Sequence, residues 1–333
     1  MKKFYAALLV LCLLLGGCAP SPAKVCQLTY LDLFDTVTTV MGNGEDFQQK
    51  AQAIHDELLR YHRLFDIYNN YEGLNNLKTV NDQAGIAPVQ VDVSIIRLLQ
   101  DCKTYYELTG GKVNVAMGSV LSLWHEARTA ALEDPESARL PDTEALLLAA
   151  KHTDINGIII NEADGTVYLS DPEVSLDVGA IAKGWAVQQV AETAPEGLLI
   201  SVGGNVVATG PKASDTPWSV GIQNPTGNDY LHAIPLTGGA VVTSGNYQRT
   251  FTVAGKAYHH IIDPATQMPG SLWSGVTVVC PDSGLADALS TALFLLPLEE
   301  GKALAQRWGA EALWVDEAGV EFMTDGFSAL IQQ

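Results

Sequence analysis

The stretch Leu198-Leu199-Ile200-Ser201-Val202-Gly203-Gly204-Asn205-Val206-Val207-Ala208 reads as an apolar strand, a break at paired glycines and a second strand. It opens a region dominated by strands. Short apolar and β-branched runs follow near 206–209, 218–223, 232–236, 240–243, 248–254, 257–262 and 275–280, with turn signals between them. Upstream, helical spacing prevails. Phe47, Ile54, Leu58, Tyr61 and Leu64 recur through 46–65, a second amphipathic helix covers about 93–109, and 119–151 is helical apart from Glu133-Asp134-Pro135. Residues 29–41 read as one strand, and 157–161 with 166–170 as a hairpin around Ala163-Asp164-Gly165. Helices at 285–296 and 299–308, a strand at 311–315 and a short final strand complete the chain. Helical blocks segregated from a largely antiparallel run of strands predict an α+β fold and not a doubly wound sheet. Neither a repeat nor a shift in composition marks a boundary, so 29–333 is expected to form one unit.

The N-terminus has Lys2 and Lys3, the apolar run Phe4 to Leu15, and Leu15-Gly16-Gly17-Cys18. The run is too short to span a bilayer and has the layout of a secretory signal peptide over 1–17. The small residues before Cys18 resemble a bacterial lipoprotein processing site. Cys18 is then the lipidated first residue and 18–28 a tether, which implies an extracytoplasmic, membrane-anchored protein. Beyond Cys18 only Cys26, Cys102 and Cys280 remain, an odd number without metal-ligand spacing, so no disulfide framework is expected. A net charge of -19 argues against a nucleic-acid or anionic-lipid binding surface.

Two polar clusters far apart in sequence look like halves of one site. The first is Leu176-Asp177-Val178-Gly179-Ala180-Ile181-Ala182-Lys183-Gly184, in which a strand ends at Asp177 and Lys183 sits on a new helix beginning near Ala180. The second joins His259-His260-Ile261-Ile262-Asp263-Pro264 to Asp287-Ala288-Leu289-Ser290-Thr291. Asp287 and Thr291 are four apart on a predicted helix, so their oxygens share a face. A carboxylate, a hydroxyl and a main-chain carbonyl are hard oxygen donors suited to Mg²⁺. With a lysine for phosphate and a histidine as base, they point to phosphoryl transfer.

At these motifs the chain resembles the ApbE family, the FAD:protein FMN transferases, over nearly all of its mature length. The resemblance is carried by Phe34-Asp35-Thr36, the Gly118 to Trp124 stretch, Asp177 through Gly184 and Ser201-Val202-Gly203-Gly204-Asn205. It continues in Trp218 through Pro225, Thr243-Ser244-Gly245-Asn246-Tyr247, His259 through Pro264 and Asp287 through Thr291. It implies an ApbE-like (T-fold-like) catalytic unit and a Mg²⁺-dependent enzyme that cleaves FAD and passes FMN to a threonine hydroxyl of an acceptor flavoprotein, releasing AMP. The acceptor would be a redox-pump subunit or an extracytoplasmic electron carrier. Carried over by position, Asp287, Thr291 and the Ala180 carbonyl match the metal site, with Ser290 as accessory. Asp177 would contact the flavin nucleotide, Lys183 would meet the phosphates, and His260 would accept the proton. Flavin contacts are expected from Phe34, Tyr68, Lys112, Val113, Asn114 and Ile261. Two segments depart from the family pattern. Asn114 stands where an acidic flavin contact is common, and Thr266-Gln267-Met268-Pro269 replaces Thr-Gly-x-Pro.

Blander readings accompany each assignment. Gly203-Gly204-Asn205 can be only a turn, Asp177 a helix cap, Asp263-Pro264 turn chemistry, and Thr291 a helical hydroxyl bonded to its own backbone. His259 reads as a packed strand residue facing away from His260, and Trp124, Trp218 and Trp308 as core. Two alternative functions remain: a Mg²⁺-dependent FAD pyrophosphatase, which an aromatic Tyr68 over the adenine side disfavours, and a non-catalytic flavin-binding lipoprotein, which has no need of a metal cage beside a base.

Overall fold

A computed structural model describes residues 25–331, so the expected signal peptide, Cys18 and most of the tether lie outside the described residues. Its centre is an eight-stranded sheet, antiparallel at every pairing. The order is Cys26–Leu33, Thr36–Gly42, Leu199–Val202, Asn205–Ala208, Gly239–Gly245, Gly275–Cys280, Glu311–Val315, Glu321–Met323. The α+β expectation holds.

Strand alternation sorts the inner strands into two cores. Ile200, Val202, Val207, Ala240, Val242, Val276, Val278, Ala312 and Trp314 face the larger one. There the helices Phe47–Phe65, Ala182–Thr193 and Ser283–Phe294 cover the sheet. The intervening Leu199, Ala208, Val241, Leu313 and Val315 face a smaller core. The hairpin Trp218–Gln223/Tyr230–Leu236 and Phe327 of the C-terminal helix Asp325–Ile331 close it. A third cluster joins Trp124 of helix Gly118–Glu133 to Phe251 and Ile262. It forms an outlying wall, and the cleft described below lies between this wall and the main core.

Several expectations need correction. The single strand at 29–41 is a hairpin, with Leu33 opposite Thr36 and a turn at Phe34 and Asp35, both at φ 51°. A two-residue turn with φ > 0 at both centres is usually Asn-Gly or Asp-Gly, so a Phe-Asp pair gave no turn signal. Left-handed backbone costs a non-glycine residue about 1–2 kcal/mol. The Phe34 N–H, donated to His62 Nδ1 at 3.1 Å, helps to hold it. The first strand also begins at Cys26, inside the tether expected over 18–28. The strands expected at 248–254 and 257–262 shrink to Phe251–Val253 and Lys256–Tyr258, so both histidines lie beyond the strand. Trp218 is core, but Trp308 is 39% exposed. The final strand expected at the end of the chain is followed by a seven-residue helix that the spacing does not predict.

Candidate active site

Helices Ala182–Thr193 and Ser283–Phe294 approach so closely that a Cβ at Gly184 would stand 2.4 Å from the Ser283 carbonyl oxygen and 2.5 Å from Asp287 Cβ. Only glycine fits there. The Gly184 N–H donates to Asp287 Oδ2 at 2.8 Å and does not close a helical turn on Ala180, which leaves the Ala180 carbonyl available. Asn205 Nδ2 donates to the same Oδ2 at 2.8 Å, and Lys183 Nζ stands 3.9 Å away. Asn205 reaches that position because Gly203 and Gly204, both with φ > 0, turn the chain between two central strands. The two glycines are thus a turn whose product is a site contact. Asp287 is 4% exposed, and burial raises its carboxyl pKa, opposed by Lys183 and the two N–H donors.

Asp287, Thr291 and Ala180 line one cleft with Lys183, Asp177 and His260, and its volume is about 360 Å³, adequate for part of a nucleotide. The halves far apart in sequence therefore meet. Asp177 is fixed from both sides. Its N–H donates to the Val115 carbonyl, its Oδ1 accepts from Gly179 N, and Asn81 bonds both backbone groups of the neighbouring Leu176. Burial raises the Asp177 pKa, with Arg249, His125 and Lys183 pulling the other way.

His259 and His260 divide their work without a strand to alternate on. His259 Nδ1 accepts from the Ile261 N–H at 3.2 Å, so its Nε2 carries the proton given to the Gly270 carbonyl at 2.7 Å. It is a packed, neutral scaffold residue, its pKa lowered by burial. His260 lines the cleft and is exposed at its surface. Burial, with Arg249 and Lys183, pushes its pKa down to about 3. The ring is a free base at neutral pH.

Tyr68, Lys112, Val113, Asn114 and Ile261 also line the cleft. Tyr68 is half-exposed on a loop gathered by Asp66, whose Oδ1 accepts from the Tyr68 and Asn69 N–H groups. Lys112 Nζ is paired with Asp263 at 3.0 and 3.1 Å. Asn114 is occupied by the backbone, accepting from Ala116 N and donating to the Thr153 carbonyl. An aspartate there could not make the second bond. Two expected residues are off the cleft lining. Phe34 packs edge-on to His62 at 5.5 Å between centroids, and its neighbours Asp35 and Thr36 face the cleft instead. Ser290 is fully buried, and its Oγ joins Ser244 Oγ at 2.8 Å and the Asp287 carbonyl at 2.9 Å, bracing the helix on the sheet.

The cleft contains further residues that the motifs did not reveal: His125, Arg128, Gln248 and Arg249. Leu121, Trp124, His125 and Arg128 share one face of a helix by their spacing, and that was the available signal. Gln267 occupies the left-handed region at φ 57°, so the loop keeps a glycine-like shape without glycine. Its carbonyl accepts from Trp124 Nε1 and its side chain donates to the Pro264 carbonyl, both at 2.8 Å. Relief of backbone strain and loss of that bond nearly cancel, so Gln267→Gly should unfold within about 1 kcal/mol of the wild type. Gln267→Ile should lose about 2 kcal/mol, because a β-branched residue resists φ > 0 and makes no such bond. Urea unfolding of the two variants checks this, and equal stability of both would refute the strain.

The donors fit a hard divalent cation: one buried carboxylate with Oδ1 uncommitted, a hydroxyl one turn later, and a carbonyl released from its helix. Among the described residues no group of three His, Cys, Asp or Glu side chains could form an all-protein cage, and Mg²⁺ characteristically leaves room for water and phosphate. An α+β scaffold carrying such donors, two lysines, two arginines and a neutral histidine in one cleft can hold an anionic ligand beside a base. Residues 26–314 match the model of the ApbE family, and the chain belongs to that family. The FAD:protein FMN transferase of Treponema pallidum (strain Nichols) is 35% identical over 260 residues, 72% of this chain and 70% of that protein. That of Klebsiella pneumoniae (strain 342) is 31% identical over 276 residues, 78% and 83%. The crystal structure of the ApbE protein from Thermotoga maritima superposes with a TM-score of 0.84 at 29% identity, covering 93% of this chain and all of that one.

Proposed function

We propose that this chain is a Mg²⁺-dependent FAD:protein FMN transferase. It moves FMN from FAD to a threonine hydroxyl of an acceptor protein and releases AMP. The observation that carries this reading is the meeting, in one cleft, of Asp287, Thr291 and the free Ala180 carbonyl with Lys183 and the neutral His260. Family membership and the two named transferases support it.

Asp287, Thr291 and the Ala180 carbonyl would hold the ion, which when bound supplies positive charge to the diphosphate. Lys183 adds an ammonium to the same charge, and Asp177 with Tyr68 orients the nucleotide. His260 takes the threonine proton as the hydroxyl oxygen bonds to the FMN-side phosphorus. The bond from that phosphorus to the bridging oxygen breaks, the electron pair leaves with AMP, and the proton passes to solvent. A base at about 3 is weak for this purpose. The bound diphosphate offsets Lys183 and Arg249 and so raises the basicity of His260 when substrate is present.

Tyr68, 56% exposed and tilted against the His125 ring at 5.3 Å between centroids, sits as an aromatic lid and favours transfer over hydrolysis by water. Lipidation of Cys18 would anchor the enzyme outside the cytoplasm, where redox-pump subunits or electron carriers expose acceptor threonines. Purified protein should be incubated with FAD, Mg²⁺ and an acceptor domain, and acceptor mass and AMP measured. Transfer predicts a mass gain of FMN less one water, with equimolar AMP. FMN and AMP without that gain would assign hydrolysis, and neither product would end both enzymatic readings.

A further inference from the structure

The cleft wall bears four lysine or arginine side chains, and two are already engaged. Lys112 is paired with Asp263, and Lys183 lies near Asp287 and donates to the Gly179 carbonyl at 3.2 Å. Among the described residues, neither Arg128 nor Arg249 makes an ion pair or a side-chain hydrogen bond. The two guanidinium groups are close enough to repel, and the charge of Arg249 also reaches His260 and Asp177. Neither guanidinium is bonded to a carboxylate, although Asp177 lies within reach of Arg249, so both forks stay available on the cleft wall to an anionic ligand. Arg249 is furthermore held at φ 48°, a conformation that disfavours any residue with a Cβ. It follows the central strand Gly239–Gly245 and precedes Phe251, which belongs to the outer wall. Strain of this kind, at a residue that lines the cleft, is characteristic of functional positions.

We propose that Arg249 and Arg128 form an anion clamp that engages the phosphates of the dinucleotide in addition to Lys183. The assignment rests on the flavin-transferase reading and deepens it. Guanidinium groups suit the task because their planar fork can bind two phosphate oxygens at once. Spanning from the neighbourhood of His260 to the outer helix, the pair would make the cleft selective for a flavin bearing phosphates over riboflavin, which has none.

Binding of FAD and of riboflavin to the full chain, measured by fluorescence titration, tests this with Arg249→Gly, Arg249→Lys and Arg128→Ala. Arg249→Gly removes the guanidinium and relieves the backbone, so its unfolding midpoint should be unchanged or raised while its Kd for FAD rises at least about tenfold. Arg249→Lys should fall between wild type and Arg249→Gly, and Arg128→Ala should weaken FAD several-fold. Riboflavin affinity should not move in any of them. Equal weakening of FAD and riboflavin would make the residues structural, and unchanged FAD affinity would remove the clamp. Either result overturns the proposal. Failure of the transferase reading is separately visible, as wild-type protein that binds FAD without flavinylating an acceptor.

Discussion

Asp287→Asn should lower FMN transfer by roughly 10³-fold and abolish stabilisation of the protein by Mg²⁺. The substitution keeps the volume of a side chain that is almost wholly buried. It removes the negative charge, while the amide oxygen can keep the Oδ2 position and accept from Gly184 N–H and Asn205 Nδ2, with its NH₂ at the uncommitted Oδ1 position in the cleft. Neither donor then loses its acceptor and no ionised carboxylate has to be desolvated, so the fold of the metal-free variant should survive. The distinguishing measurement is the thermal midpoint with and without Mg²⁺. Wild type should gain in midpoint with Mg²⁺ and lose the gain with a chelator, whereas Asp287→Asn should show the same midpoint in both. A variant that still responds to Mg²⁺, or still transfers at the wild-type rate, would displace the ion from this corner of the cleft.

The corner itself was largely legible in the chain because its parts are local. Asp287 and Thr291 lie on one helical face by spacing alone, and the Asp177 to Gly184 segment announces a strand end followed by a helix. What could not be read is the contact between them. Gly184 is glycine because another helix passes within van der Waals distance, and its N–H abandons Ala180 for Asp287. Those are tertiary facts with no periodic signature. The same holds for Phe34 and Asp35, whose left-handed turn has no turn-forming residue to signal it, and for Gln267, which keeps a glycine conformation. In each place local propensity and observed backbone disagree, and each lies at or beside the cleft. That pattern is expected where function over-determines the backbone. Asn205 shows the converse. Its turn was legible as a turn, but its role as a donor to Asp287 follows only from the neighbouring strand order.

His260→Ala should reduce kcat by roughly 10²–10⁴-fold with little change in FAD affinity, because the ring acts on the threonine proton. The pH dependence gives the sharper test. Burial and the cations Arg249 and Lys183 carry the pKa of His260 from 6.5 down to about 3, so the free enzyme holds a neutral imidazole throughout the pH range where most proteins remain folded. The profile of kcat/KM, which reports the free enzyme, should therefore show no step from His260 at 6.5, and an acid limb well above 3 belongs to Asp177 or Asp287, whose carboxyl pKa values burial raises. Bound diphosphate favours the imidazolium and counters both cations. The acid limb of kcat, which reports the complex, must accordingly lie at higher pH than that of kcat/KM. Arg249→Gly removes the repulsion that follows burial in importance, so it should move the His260 limb of the free enzyme upward toward 6.5. A kcat/KM profile that already breaks near 6.5 in the wild type, and breaks there again in His260→Ala, would transfer the role of base to another group.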